Sequence, residues 1–215
     1  MTASEGRTLF QIAKDALAGK SPPVDENPKV ELPANFYNPL GFALGGYVRV
    51  GTTELSSATF SVDILSELTR SIGGKALKVT DYSLHDPDFG EAKDGTWLTV
   101  RCIDQGKGKF DCVLLFPHQE MKYSLDMEKK LKAKEYVDKG AKVKYQKFAE
   151  NKASLREIPR EENTPKSITY YDYVNNDGPE LRLYVIEVND ETGWIQTYHG
   201  TPLDPLDVKA IAGHV

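Results

Sequence analysis

A pattern of β-strands joined by short turns occurs twice in the chain, and it constrains the fold more than any other feature. The first copy runs from Thr80 to Phe116, and the second runs from Thr169 to Ile195. The connecting turns are rich in Gly, Asp, Asn and Pro. Strands joined by such short turns pair antiparallel, because a parallel connection needs a crossover of a dozen or more residues. The sequence therefore predicts antiparallel sheet.

The predicted fold class is α+β, mainly antiparallel β, built from two three-stranded meanders that form either a pseudo-repeat or a chance resemblance. Residues 7–19 place apolar side chains at helical spacing, which predicts an N-terminal helix. Lys and Glu dominate residues 119–147, which predicts one long exposed helix or a mobile arm. The predicted domains are a helix and Pro-rich connector (1–39), a β-rich module (40–118), a charged linker or helix (119–166) and a second meander module (167–215).

Charge and hydropathy restrict the partners that the chain is expected to bind. The formal net charge of −5 argues against a broad nucleic-acid footprint. Apolar runs in the sequence are far shorter than the roughly 20 residues that cross a bilayer, so we expect no transmembrane segment. The N-terminus lacks a basic region followed by an apolar one, so a cytoplasmic location is expected.

The two cysteines, Cys102 and Cys112, lie on either side of the Gly106-Lys107-Gly108 turn. Strand alternation places each of them on an apolar face, and the turn length sets the two residues opposite each other across the hairpin. The interpretation that we favour is a pair of buried thiols that pack as small hydrophobic groups. The alternative is a strained cross-strand disulfide that acts as a redox switch.

Signatures of common chemistry are missing from the sequence. It contains neither a phosphate-binding glycine loop nor a nucleophile elbow, and its four histidines are scattered singly. The acidic residues around Asp86 and Asp88 are interrupted by Pro87, so a solvated turn is favoured over a metal site. We therefore expect no catalytic residues, no metal and no cofactor.

Aromatic residues crowd the second meander and give the strongest indication of function. Tyr171, Tyr173, Trp194 and Tyr198 are the candidate interaction residues, whereas alternation turns Tyr170 to the other face. A nucleic-acid platform would carry basic residues between the rings, but this stretch is acidic. We expect protein partners, with a homo-oligomer as one form of that contact.

The preferred hypothesis is therefore a non-catalytic cytoplasmic accessory protein that acts through protein contacts. One alternative is a hydrolase-type enzyme with a site near His85, Asp86 and His118. Another is a peripheral protein whose basic segment from Lys122 to Lys147 docks on an anionic membrane surface.

Two short motifs carry a family resemblance. The run from Leu40 to Gly45 leads into Tyr47-Val48-Arg49-Val50, and Thr80-Asp81-Tyr82 precedes Thr96-Trp97-Leu98. In these motifs, over about residues 40–116, the chain resembles the uncharacterised bacterial YjfK-like proteins. The resemblance implies no established activity and no catalytic residues, and it favours an accessory role through binding. The lysine-rich middle segment departs from it.

Overall fold

The computed structural model describes residues 32–211 apart from 53–54, 56–57, 73–74, 89–94, 140–141, 159–165, 176 and 178–180. The predicted N-terminal helix at residues 7–19 lies outside the described residues. The strands are β1 (Tyr47–Val50), β2 (Phe60–Ile72), β3 (Lys75–Asp86), β4 (Thr96–Gly106), β5 (Lys109–Lys122), β6 (Glu135–Asp138), β7 (Val143–Ile158), β8 (Lys166–Asn175), β9 (Arg182–Asn189), β10 (Trp194–Leu203) and β11 (Val208–Ala210). The helix α1 (Leu125–Lys132) joins β5 to β6, and a 3₁₀ turn (Pro205–Asp207) precedes β11.

The strands form a closed antiparallel barrel. Their order is β11-β1-β2-β3-β4-β5-β10-β9-β8-β7-β6, and a further pairing joins β2 to β7. That pairing closes the eight strands from β2 round to β7, and it leaves β1, β11 and β6 as extensions outside the ring. The same order of neighbours occurs in β1–β5 and in β6–β10.

The predicted fold class, α+β with two three-stranded meanders, is wrong. The strands on either side of the predicted turns do pair antiparallel: β3 with β4 and β4 with β5, and likewise β8 with β9 and β9 with β10. However, β5 also pairs with β10 and β2 also pairs with β7, so the hairpins are parts of one ring. These two contacts join strands that are far apart in sequence, and no local pattern reports them.

The charged central segment is neither one long helix nor a mobile arm. β5 continues to Lys122, α1 spans eight residues, and β6 and β7 follow. The predicted boundary between residues 118 and 119 therefore falls inside β5, and that between 166 and 167 falls inside β8. The helix begins at Ser124, whose side chain accepts a hydrogen bond from the Met127 backbone N–H, and it buries one residue, Leu131.

Apolar side chains pack in two large cores on the outside of the barrel wall and in two small clusters on its inner face. The first core covers β2–β5 with residues 32–46, β1 and β11, and it includes Phe60, Tyr82 and Leu114. The second covers β7–β10 with α1 and β6, and it includes Leu131 and Tyr173. Because strand side chains alternate between faces, the opposite side chains of the same strands point into the barrel.

The hairpin between β4 and β5 has the predicted register. Lys107 and Gly108 both have a left-handed backbone, with φ of 55° and 74°, which the tight turn requires. Cys102 pairs directly with Cys112, as predicted, and their Sγ atoms are 3.0 Å apart. Both are buried free thiols in the first core. The hydrogen bond with Cys112, followed by burial, raises the pKa of Cys102, which keeps it protonated.

Candidate functional site

The interior of the barrel holds a partly open cavity of about 80 Å³, whose lining combines polar side chains with the apolar Leu68, Leu155 and Ile168. Seven of the eight strands of the ring supply its lining, from β2, β3, β4, β7, β8, β9 and β10. The lining includes three hydroxyl side chains of Ser and Thr, two tyrosines, one arginine and three carboxylates. A barrel of eight strands is ordinarily just wide enough for its side chains to fill. Here polar groups occupy much of that space.

Arg101 is the central charged group of the interior. Its Nε and Nη2 atoms donate to Asp81 Oδ1 and Oδ2 at 2.8 and 2.6 Å, and Nη2 also donates to Glu187 Oε1 at 2.6 Å. Asp81 is on the neighbouring strand β3, whereas Glu187 on β9 reaches Arg101 across the barrel. Burial alone would lower the pKa of Arg101, but Asp81 and Glu187 outweigh it and raise the pKa.

A second buried ion pair lies on the adjacent part of the wall. Arg70 Nη2 donates to both carboxylate oxygens of Asp172, at 2.9 and 2.7 Å. The Arg70 guanidinium also stacks over the ring of Tyr170, with 3.4 Å between its Cζ atom and the ring centroid. This stacking fixes the Tyr170 ring, which lines the cavity.

Within the described residues, three buried side-chain atoms have no hydrogen-bond partner: Arg70 Nε, Arg101 Nη1 and Tyr170 OH. Two of them belong to residues that line the cavity, Arg101 and Tyr170. Buried polar groups are ordinarily paired, and these two atoms present almost no accessible surface to the cavity. Tyr198, on the same wall, hydrogen-bonds to Glu187, and burial followed by that carboxylate raises its pKa well above the ordinary value.

A groove of about 670 Å³ lies on the outer face of β7, β8 and β9. Tyr123, Tyr171 and Val188 are among its lining residues. Lys147 Nζ lies 4.9 Å from the centroid of the Tyr171 ring, and it pairs with Glu150 at 2.9 Å. Other lining side chains are polar: Glu150, Asn151, Lys152, Thr169, Asn189 and Asp190. The groove thus has aromatic rings beside side chains that include both hydrogen-bond donors and hydrogen-bond acceptors.

The four predicted interaction residues do not share one surface. Tyr171 lines the groove, but Tyr173 is fully buried in the second core, where burial raises its pKa to about 12. Trp194 is 42% exposed, with Lys122 Nζ 5.4 Å from its ring centroid. Tyr198 lines the barrel interior. Only Tyr171 and Trp194 are therefore placed where a partner protein can reach them.

The residues of the alternative hydrolase site have structural partners. His85 stacks on Trp97 with ring centroids 4.2 Å apart. Asp86 accepts hydrogen bonds from the backbone N–H groups of Thr59 and Asp88, both at 3.0 Å, which fixes the turn after β3. His118 instead packs against His199, with ring centroids 4.4 Å apart. The hydrolase reading stays a prediction.

His199 lies among titratable neighbours from three strands: His118 on β5, Asp138 on β6 and Tyr184 on β9. Burial first, and then His118, lower its pKa against the opposing effect of Asp138. The unfolded chain therefore binds a proton at His199 more tightly than the folded protein does. The contribution of neutral His199 to the stability is fully present above about pH 6.5 and is lost as the pH falls toward the pKa of His199 in the folded protein.

We therefore expect His199→Gln to lose less thermal stability than the unaltered protein between about pH 7.5 and about pH 5. Melting midpoints across that pH range, measured by circular dichroism, check this expectation. An equal fall in both proteins would show that His199 does not contribute to the acid sensitivity.

Sequence reasoning missed the interior residues Asp81, Arg101, Asp172 and Glu187. A signal was present: Asp81 and Asp172 each precede a tyrosine that is fully buried, Tyr82 and Tyr173. Alternation of tyrosines with charged residues along a strand predicts that its two faces lie in two different environments. It does not by itself say that both environments are buried.

Comparison of the chain with family models, curated proteins and solved structures gives no match. The YjfK-like resemblance therefore stays a prediction. Among the described residues, no group of three or more His, Cys, Asp or Glu side chains is arranged to hold a metal ion. In the same part of the chain, no helix is long and apolar enough to cross a membrane.

Proposed function

We propose that this chain is a non-catalytic accessory protein that acts through protein contacts, and that its outer groove receives an extended segment of a partner protein. The observation that carries the proposal is the groove itself, in which the Tyr171 ring lies beside a row of polar side chains. Tyrosine is enriched at protein interfaces, because it contributes both apolar area and a hydroxyl group.

The chemistry of the groove favours an extended segment. Asn151 and Thr169 donate hydrogen bonds to Ser71 and Asp190, and Asn189 accepts from the backbone of the turn after β9. Each of these side chains has further hydrogen-bonding capacity, which can serve the backbone N–H and C=O groups of a bound chain.

The lining has two carboxylates, Glu150 and Asp190, and one ammonium group, Lys152. Glu150 pairs with Lys147 and Asp190 with Lys152, so these charges are balanced and select neither a basic nor an acidic segment.

Site-directed photo-crosslinking tests the proposal. A photo-reactive residue at Tyr123, which lines the groove and is 43% exposed, is expected to capture a defined segment of a partner in extracts of the source cells. The same residue at Leu206, which is 77% exposed beside β11, is the control for nonspecific capture. The captured segment is then synthesised as a peptide.

Binding of that peptide is measured by calorimetry with three proteins. We expect Tyr171→Ala to weaken its affinity by about tenfold or more, as removal of an aromatic anchor at an interface does. Leu206→Ala is expected to bind as tightly as the unaltered protein. A peptide that binds equally to all three, or equal capture from both positions, would reject the groove as the contact surface.

A further inference from the structure

We propose that Cys102 and Cys112 form an oxidation site, at which hydrogen peroxide converts the two thiols into a reversible cross-strand disulfide when residues 32–46 move away from them. The two cysteines face each other directly across the β4–β5 hairpin, and their Sγ atoms are 3.0 Å apart. Both are free thiols, so the structure describes the reduced state. The site is distinct from the outer groove, because it lies in the first core.

The backbone already holds both cysteines at a separation that a disulfide accepts. Directly opposed residues of an antiparallel pair have Cα atoms about 4.5–5.5 Å apart. Disulfides span Cα separations of about 4.4–6.8 Å, so the hairpin need not change its register. An S–S bond is about 2.0 Å long, so the two sulfur atoms must approach each other by about 1 Å. Small rotations of the two side chains supply a shift of that size.

Pairing on both sides of the hairpin keeps the two sulfur atoms together. Cys102 also pairs with Thr80 on β3, and Cys112 also pairs with Leu203 on β10. Both cysteines therefore lie on strands that are hydrogen-bonded along both edges. Each thiol thus meets the other far more often than it meets a thiol of a second copy, which favours a disulfide within one chain.

Residues 32–46 cover the pair and limit its contact with an oxidant. Thr80, the neighbour of Cys102 in the sheet, donates from Oγ1 to the backbone carbonyl of Tyr37. The Tyr37 hydroxyl hydrogen-bonds to Asp104, which lies two residues from Cys102 on the same face of β4. Tyr37 is thus tied down on two sides of the cysteine pair, and both thiols are at most 3% exposed. A peroxide molecule therefore reaches the sulfur atoms only when this cover opens.

The covered pair is expected to react slowly. The thiolate is the form that attacks peroxide, and the raised pKa of Cys102 keeps that residue in the thiol form while it is buried. Opening of residues 32–46 hydrates the sulfur atoms and allows them to ionise. The rate of oxidation therefore depends both on the peroxide concentration and on how often the cover opens.

The reaction balances with hydrogen peroxide as the oxidant. One thiolate attacks a peroxide oxygen, the O–O bond breaks, and a sulfenic acid forms while the leaving hydroxide takes the thiol proton and becomes water. The second cysteine then attacks the sulfenic sulfur, so that the S–S bond forms, the S–O bond breaks and a second water leaves. In total the two cysteines lose two electrons and two protons, and one peroxide is reduced to two waters.

Peptide mapping of the full chain tests for the disulfide. The protein is treated with hydrogen peroxide, the remaining thiols are blocked with N-ethylmaleimide, and the protein is digested with trypsin without reduction. Trypsin cleaves between the two cysteines, after Lys107 and Lys109, so they fall in separate peptides, 102–107 and 110–122. We expect mass spectrometry to find these peptides joined, and to find them separate after dithiothreitol is added. Peptides that carry only blocked or over-oxidised cysteines would overturn the inference.

Two matched variants test the role of the cover. Tyr37→Ala removes the side chain that ties residues 32–46 to β4, and we expect it to speed disulfide formation about fivefold or more. Tyr171→Ala removes a tyrosine side chain in the outer groove, and we expect it to leave the rate unchanged. Equal rates in the two variants would refute control by residues 32–46.

Low concentrations of urea distinguish local opening from global unfolding. Opening of the cover exposes little surface, so the rate is expected to rise only slightly with urea below the unfolding transition. A rate that rises as steeply as the equilibrium constant for unfolding would show that the thiols react only in the unfolded chain, and the inference would fail. Each of these outcomes leaves the proposed partner groove untouched, and loss of peptide binding at the groove would not alter the peptide map.

Discussion

Replacing Arg101 by methionine is expected to lower the free energy of unfolding by about 3–5 kcal/mol. The substitution removes the single cation between Asp81 and Glu187 and leaves two carboxylates facing each other inside the barrel. Asp81 can regain little hydration because its side chain is 11% exposed, and Glu187, at 22%, can regain only part of it. Urea unfolding monitored by circular dichroism measures the loss.

Arg156→Met is the matched control, because it makes the same change at an ion pair near the surface. Arg156 pairs with Glu67, and its side chain is 38% exposed. We expect that variant to lose less than about 1 kcal/mol. A triple variant, Asp81→Leu with Arg101→Met and Glu187→Met, is expected to recover most of the loss, since it buries no charge. Equal losses in Arg101→Met and Arg156→Met would refute the buried network.

The second large effect is expected at Tyr82, which anchors residues 32–46 over the first core. Its ring packs edge-on against Phe42 with centroids 5.4 Å apart. Its hydroxyl donates to Asn38 Oδ1 at 2.6 Å and accepts from the Leu40 backbone N–H at 3.1 Å. Tyr82→Ala is expected to lower the free energy of unfolding by about 3–5 kcal/mol, because it opens a cavity in a fully buried position.

Tyr82→Phe separates the hydroxyl from the ring. It leaves the Leu40 N–H and the Asn38 side chain without this partner, which is expected to cost about 1–3 kcal/mol. Hydrogen exchange of the Leu40 amide should accelerate in both variants, whereas amides of β8 should keep their protection relative to global unfolding. A Tyr82→Ala protein with unchanged stability would mean that residues 32–46 do not cover this core.

Local features of the fold were readable from the sequence. The glycine-bearing turns predicted which neighbouring strands pair and in which direction, and the turn between β4 and β5 predicted that Cys102 lies opposite Cys112. Both inferences rest on interactions between residues that are close in sequence. Closure of the barrel was not readable, because β2 pairs with β7 and β5 with β10 through contacts between residues 72 to 93 positions apart in sequence.

The candidate sites were harder to predict, for a different physical reason. A strand that alternates apolar and polar residues is ordinarily interpreted as buried on one face and solvated on the other. In β3 the apolar face, with Tyr82, is covered by residues 32–46, and the charged face, with Asp81, is enclosed by the ring. Tyr171 was predicted as an interaction residue and does line the groove, whereas Tyr198 lies on the enclosed face.

The pairing of β2 with β7 has a consequence for how the ring can open. Among the described residues, four positions are paired there, Leu65–Leu68 with Leu155–Ile158, against ten between β5 and β10. Fewer backbone hydrogen bonds join these two strands than join other neighbouring strands of the ring. We therefore expect β2 and β7 to separate more readily, by local opening that leaves the rest of the protein folded. Ser66, Leu68, Leu155 and Glu157 border both this pairing and the cavity. Transient separation of these two strands would thus open the ring while its other seven strand pairings stay formed.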